Sequence, residues 1–315
     1  MKIFERALDL LDRLWFICAK MTKWVVHRCT GASEIQRILV AEGDGSVSAG
    51  WSSSSSSSIS SYRTEKLAKS ITRSTKLDDV QSLLLSPEAN SSELARTVAA
   101  RKRIPPGLRG HLEQGLTNMI AVASAIREVR EWKAKAVDRN LMSHREMLEN
   151  LWILLKVGQE REGDDFWSSS SWSEIGFQGR DPCTDFRGAG VLGLIQLCYF
   201  AKHRPDSARR MLREPPMEAA RYPFCCCGLN ITASLSDLIT QDKLSRWLYG
   251  KRASEVVSAF HDFYCDTFEL FHARWVASKP QNILSFPPVF KAAMEQASRM
   301  LEHEGFITVD GREVQ

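Results

Sequence analysis

The side chains best suited to chemistry lie between Trp172 and Gly190. There Trp172, Ile175, Phe177 and Phe186 are interleaved with Gly176, Gly179, Gly188 and Gly190, and with Asp181, Asp185 and Arg187. Arginine keeps its charge at all working pH values and presents a rigid planar fork matched to phosphate oxygens. Asp181 followed by Pro182 is a favourable helix start, because Asp caps free backbone N–H groups and Pro is preorganised for the first helical position. Thr184 and Asp185 offer further oxygens to nearby amides, and the four glycines permit tight turns or close approach of another backbone. Two uses of Arg187 follow from the residues alone. It either pairs with Asp181 or Asp185 and ties the loop together, or it projects toward a phosphate outside. Trp172, Ile175 and Phe177 read as apolar anchors beneath the loop. Gln178 either positions a water or bonds to backbone, and Arg180 is solvated or meets an acidic partner surface.

Little else in the chain suggests catalysis. None of the seven histidines falls in an HExxH, and no GxSxG or phosphate-binding P-loop occurs. His261 and Asp262 are adjacent, so their side chains diverge on a helix, and His272 reads as a satisfied core histidine. The eight cysteines, at 18, 29, 183, 198, 225, 226, 227 and 265, include no CxxC pair and predict no metal site. They read as reduced thiols, and Asn230-Ile-Thr232 reads as a chance match to a glycosylation acceptor. A net charge of +4 in 315 residues is too mild for a nucleic-acid binder, and 43% hydrophobic with 25% charged residues is ordinary for a globular chain. A protein that supplies only an arginine must take its substrate from a partner. It would be an activator rather than an enzyme with its own substrate site.

The segments around the loop read as helices. Leu112, Leu116, Ile120, Ile126 and Val129 recur at helical spacing, and Met142–Leu155 repeats the pattern. Val191–Phe200 is apolar on all sides, the mark of a central helix. Phe224–Ile239, an aromatic face from Val256 to Trp275, and Val289–Leu301 complete the set, and no sustained alternation suggests a strand. The class is all-α. Residues 2–28 predict an amphipathic helix whose longest charge-free run is too short to span a bilayer, so it either docks on its own domain or lies in a membrane interface. Ser52–Ser58 is an unbroken serine run within a Gly/Ser-rich stretch that predicts a disordered linker. The expected organisation is an N-terminal segment at 1–40, the linker at 41–75, a helical lead-in at 76–107, the main domain at 108–305 and a tail at 306–315.

The run Trp172…Ile175-Gly176-Phe177-Gln178-Gly179…Asp181-Pro182…Thr184-Asp185-Phe186-Arg187-Gly188 resembles the signature of the ELMO (engulfment and cell motility) domain. Leu192-Gly193-Leu194, Tyr222-Pro223-Phe224, Gly228–Thr232 and Phe260–Cys265 are further landmarks of the same kind, and the likeness covers roughly 110–300. The arrangement is similar to the short ELMO-domain-containing proteins. That resemblance implies GTPase-activating action on small GTPases of the ADP-ribosylation factor (Arf) and Arf-like class, with Arg187 as the residue on which activity depends. The large ELMO scaffolds lack that arginine. It implies no cofactor of the chain's own, since GTP and Mg²⁺ would be carried by the partner. Trp172, Gly176, Phe177, Gln178, Asp181, Pro182, Thr184, Asp185 and Gly188 would position the loop or meet the partner. A cytoplasmic location, peripheral on intracellular membranes, is expected. The serines at 168–171 read as a local expansion able to loosen the entry to the loop, and the Met211–Tyr222 connection as short.

Overall fold

The computed structural model describes residues 18, 21–22, 25–26, 28–40, 59–159, 161, 165–214, 221–241 and 243–302. Among them every regular element is an α-helix or a 3-10 turn, so the fold is all-α, as expected. The chain forms two compact units, Met1–Ile120 and Ala121–Gln315, and the division falls inside a helix. Most of segment 2–28 and all of 41–58 lie outside the described residues.

In the first unit, α1 (Glu34–Val40) opens with a reciprocal cap. The Ser33 hydroxyl accepts from the Gln36 amide at 3.2 Å, and the Gln36 carboxamide accepts from the Ser33 amide at 2.5 Å. Helix α2 (Ser61–Thr72) is capped by Ser60 and buries Thr64, Leu67, Ser70 and Ile71 along one face. It occupies part of the segment expected to be linker. The linker reading rests on the serine run before it, and a few apolar residues, Leu67 and Ile71 among them, carry a helical period that packing rewards. The Arg63 guanidinium donates to the carbonyls of Ile38 and Leu39, satisfying the open end of α1. Helices α3 (Asp78–Leu84) and α4 (Ser91–Lys102) follow, the latter capped by Asn90 and ended by Arg103 in a left-handed conformation.

Helix α5 (Arg109–Ala134) begins after Pro105-Pro106 and leads to the second unit. There α6 (Met142–Leu155), α7 (Gly190–His203), α8 (Pro205–Arg213) and α9 (Phe224–Thr240) pack together, with the largely apolar α7 in contact with each of the others. A four-residue turn of helix, α10 (Ser245–Leu248), precedes α11 (Val256–Ala277), and α12 (Phe286–Glu302) closes against it. Phe260, Phe263, Tyr264, Phe268, Phe271 and Trp275 of α11 are all buried. Phe268 meets Phe200 of α7 at 5.2 Å and Phe224 of α9 at 4.9 Å, joining three helices at one point. Burying such a ring contributes roughly 1.5–3 kcal/mol. Helices α7 and α9, which meet at this joint, both contact the Pro182–Gly188 turn.

A partly buried ion network fixes the far end of α7. Arg204 donates to Asp266 at 2.6 Å and to Glu269. Burial alone would lower its affinity for a proton, but the two carboxylates more than offset that and raise it. Among the described residues no helix is long and apolar enough to cross a membrane.

Candidate functional site

The loop is built from two 3-10 turns, each started by a side-chain cap. In the first, Ser170–Ile175, the Ser169 hydroxyl accepts from the Ser171 amide at 3.2 Å, and Ser169 and Ser171 are buried. The Ser169 amide also donates to the Arg180 carbonyl at 3.0 Å. The serine run before Trp172 is thus part of the folded loop and does not loosen its entry. The Ser169 hydroxyl caps the turn, which composition alone does not reveal. Trp172 is buried, its indole N–H donates to the Phe166 carbonyl at 2.8 Å, and its ring packs edge-on against Trp152, Phe166 and Phe177.

Gly176 ends this turn at φ +87°, and a β-carbon there would lie 2.1 Å from the Phe224 amide nitrogen. Only glycine meets both conditions. Its carbonyl accepts from the Cys226 amide at 3.1 Å, satisfying one of the open N–H groups at the start of α9. Gly190, at φ +57°, faces the Lys133 carbonyl just as closely, at 2.2 Å from a notional β-carbon. The Val191 amide donates to the Lys135 carbonyl at 2.8 Å. Both ends of the loop are therefore clamped to neighbouring backbone. Gly188 differs: a β-carbon there meets nothing within 4 Å, and one at Gly179 makes only ordinary contact. Of the four glycines, the chain's own packing requires 176 and 190 only.

The second turn, Pro182–Gly188, carries the charged residues. Asp181 caps it by accepting from the Cys183 amide at 3.0 Å, and Pro182 occupies the first turn and is buried. The other Asp181 oxygen pairs with Arg139, and its carbonyl accepts from the Thr184 hydroxyl at 2.9 Å. Asp185 accepts from the Gln178 amide at 2.7 Å and from the Cys226 thiol at 3.6 Å. Gln178 thus contributes its backbone, and its side chain is exposed. Burial, with Asp185 nearby, pushes the Cys226 thiol up to about 12, and burial with Asp181 pushes Cys183 up to about 11. Neither is a thiolate nucleophile at neutral pH.

Arg187 follows Phe186, whose ring is buried 5.6 Å from that of Phe177. Its own side chain is exposed and has no hydrogen-bond or ion partner among the described residues. The two carboxylates that could have tied it down are occupied by Arg139 and by the Gln178 amide. Arg139 lies in the connection after α5, where a groove lined by Asp138, Arg139, Leu141 and Cys183 borders the turn. Nothing in the sequence linked Arg139 to Asp181, because the pairing spans 42 residues.

The remaining candidates from the sequence fall elsewhere. His261 is buried and stacked on Trp132 at 5.9 Å, and burial lowers it to about 4. His272 is likewise lowered by burial, and its ring meets the Tyr222 hydroxyl at 3.0 Å and Glu214 at 3.2 Å. All eight cysteines are unpaired, and Cys225, Cys227 and Cys265 are buried. Among the described residues no three His, Cys, Asp or Glu side chains are grouped so as to hold a metal ion. The Met211–Tyr222 connection includes residues 215–220, outside the described set.

Comparison with known proteins matches these landmarks. The profile of the ELMO/CED-12 family matches residues 127–290, a span that contains the whole loop. ELMO domain-containing protein 2 of Bos taurus is 27% identical over 269 residues, covering 84% of this chain and 85% of the relative. ELMO domain-containing protein 1 of Mus musculus is 28% identical over 315 residues, covering 92% and 91%. ELMO domain-containing protein B of Dictyostelium discoideum is 29% identical over 296 residues, covering 90% and 96%. No solved structure matches. With its signature loop, its all-helical framework and a family match over more than half its length, this chain belongs to the ELMO/CED-12 family.

Proposed function

We propose that this chain is a small-GTPase-binding module that engages the GTP-loaded form of an Arf or Arf-like protein through the Asp181–Gly188 turn. Its ELMO membership supports the binding, and the contact is made in the cytoplasm at the surface of an intracellular membrane. The finer form of this reading is a GTPase-activating protein, in which Arg187 reaches the β- and γ-phosphates in trans. One observation carries that form. Arg187 is exposed and without a partner among the described residues, on a turn whose every other charged group is engaged.

The chemistry needs little else from this chain. The partner holds GTP, Mg²⁺ and the attacking water, and the guanidinium offsets charge that develops during phosphoryl transfer. An arginine supplied in this way contributes on the order of 10³–10⁵ in rate, or roughly 4–7 kcal/mol of barrier. Asp181, Thr184 and Asp185 hold the turn. Gly188, open on its outer side, leaves room for the partner's backbone to approach.

Single-turnover GTP hydrolysis by a panel of Arf and Arf-like proteins, with binding measured in parallel, separates the two forms. Acceleration that is lost in Arg187→Lys, with binding retained, establishes the activating form. Binding with unchanged hydrolysis leaves a module that recruits GTPases. Absence of binding to every member overturns the reading.

A further inference from the structure

A cavity of about 300 Å³ in the first unit has no part in the loop described above and lies outside the matched family span. Its wall brings together Arg73, Lys76 and Lys102 with the hydroxyls of Ser74 and Thr75, and it includes one carboxylate, Glu34. The Lys102 ammonium donates to the Ser74 hydroxyl at 2.6 Å, and Glu34 accepts from Ser70 at 3.0 Å. Arg73 and Lys76 are exposed, and their side chains have no partner among the described residues. Their neighbour Arg101 is treated differently: it is bound by Asp79 and by the Lys76 carbonyl at 3.1 Å. Asp79 thus holds Arg101, whereas among the described residues no carboxylate pairs with Arg73 or Lys76.

Helix electrostatics accounts for part of this arrangement. Arg73 and Lys102 stand at the C-terminal ends of α2 and α4, where a cation offsets the helix dipole. Lys76 stands just ahead of α3, whose first turn carries Asp78 and Asp79. Three cations against one carboxylate leave a local excess of two positive charges, the complement of a phosphate monoester near neutral pH. Guanidinium, ammonium and hydroxyl groups are also the donors that phosphate oxygens take up in charge-assisted hydrogen bonds.

We infer that this cavity binds a phosphate monoester through Arg73, Lys76 and Lys102, presented either on a lipid headgroup or on a soluble phosphate ester. The test uses the full chain. Sedimentation with phosphatidylcholine vesicles carrying phosphatidylinositol bisphosphate is compared with vesicles brought to equal surface charge by phosphatidylserine. Calorimetric titration with inositol trisphosphate and with inorganic phosphate provides the soluble arm. At least one phosphate probe binds, and Arg73→Gln with Lys76→Gln weakens it roughly tenfold or more. A control of equal net charge, Lys66→Gln with Arg109→Gln, leaves it unchanged. Binding to the phosphoinositide vesicles above the phosphatidylserine level identifies a headgroup, and binding to the soluble probes alone identifies a free ester. Failure of every phosphate probe overturns the inference. Equal loss in the two double variants, or equal sedimentation with both anionic vesicles and no soluble binding, does so too.

Discussion

Replacing Gly176 by alanine tests whether the loop is clamped as described. At φ +87° an alanine adopts the left-handed region at a cost of roughly 1–2 kcal/mol. Its β-carbon would also lie 2.1 Å from the Phe224 amide nitrogen, at a packed helix start that cannot yield like a flexible side chain. Forcing extra volume into such a place costs about 1–3 kcal/mol. Reduced freedom of the unfolded chain returns roughly 0.4–1 kcal/mol. The expected net loss is about 1–5 kcal/mol, centred near 3. Gly188→Ala, with nothing within 4 Å, is expected to change stability by less than about 0.5 kcal/mol. Urea unfolding followed by tryptophan fluorescence measures both, with Trp172 in the loop as one reporter. Equal stability of the two variants, or a Gly176→Ala protein as stable as the parent, refutes the clamp.

Three further outcomes follow from the packing. Asp181→Ala removes the cap on the Pro182–Gly188 turn and should cost about 1 kcal/mol, while Arg139→Ala should cost less because its pair with Asp181 is partly exposed. Urea titrations of the two variants, compared side by side, check that order. Phe268→Ala opens the joint between α7, α9 and α11 and should cost roughly 3–5 kcal/mol, read from the same kind of titration. His261 is held below its ordinary value of 6.5 at about 4 by burial, so the unfolded chain takes up a proton first as pH falls. Its contribution to stability is complete above pH 6.5 and disappears between about 6.5 and about 4, a loss of about 3 kcal/mol. His261→Leu should flatten the stability profile in that window, and an unchanged slope would show that other groups set it.

Much of this fold is legible in the sequence because single helices declare themselves through period and composition. Met142–Leu155 is seen in the structure with the bounds its apolar pattern gives, and the buried α7 follows from a run that is apolar on every side. The cap at Asp181 is readable because Asp-Pro has a local mechanism. Helices α2 and α8 are not, since few apolar residues carry them and polar or charged residues fill most of their length. Pairings across the fold escape for a different reason. That Asp181 meets Arg139 and not Arg187 depends on the path of the chain after α5. The same holds for glycine. Four look alike in the sequence, and only the neighbours of Gly176 and Gly190 show which two the fold cannot replace.

The activating form rests on an ordered turn whose Arg187 guanidinium has no partner among the described residues and would meet a phosphate held by another protein. Affinity for an Arf-class GTPase in its GDP–aluminium fluoride form, set against its complex with a non-hydrolysable GTP analogue, reads that guanidinium at the transition state. The account predicts tighter binding to the aluminium fluoride form, and loss of that preference in Arg187→Ala with affinity for the GTP-analogue form retained. A preference that survives without Arg187, or equal affinity for the two forms in the parent, would contradict it.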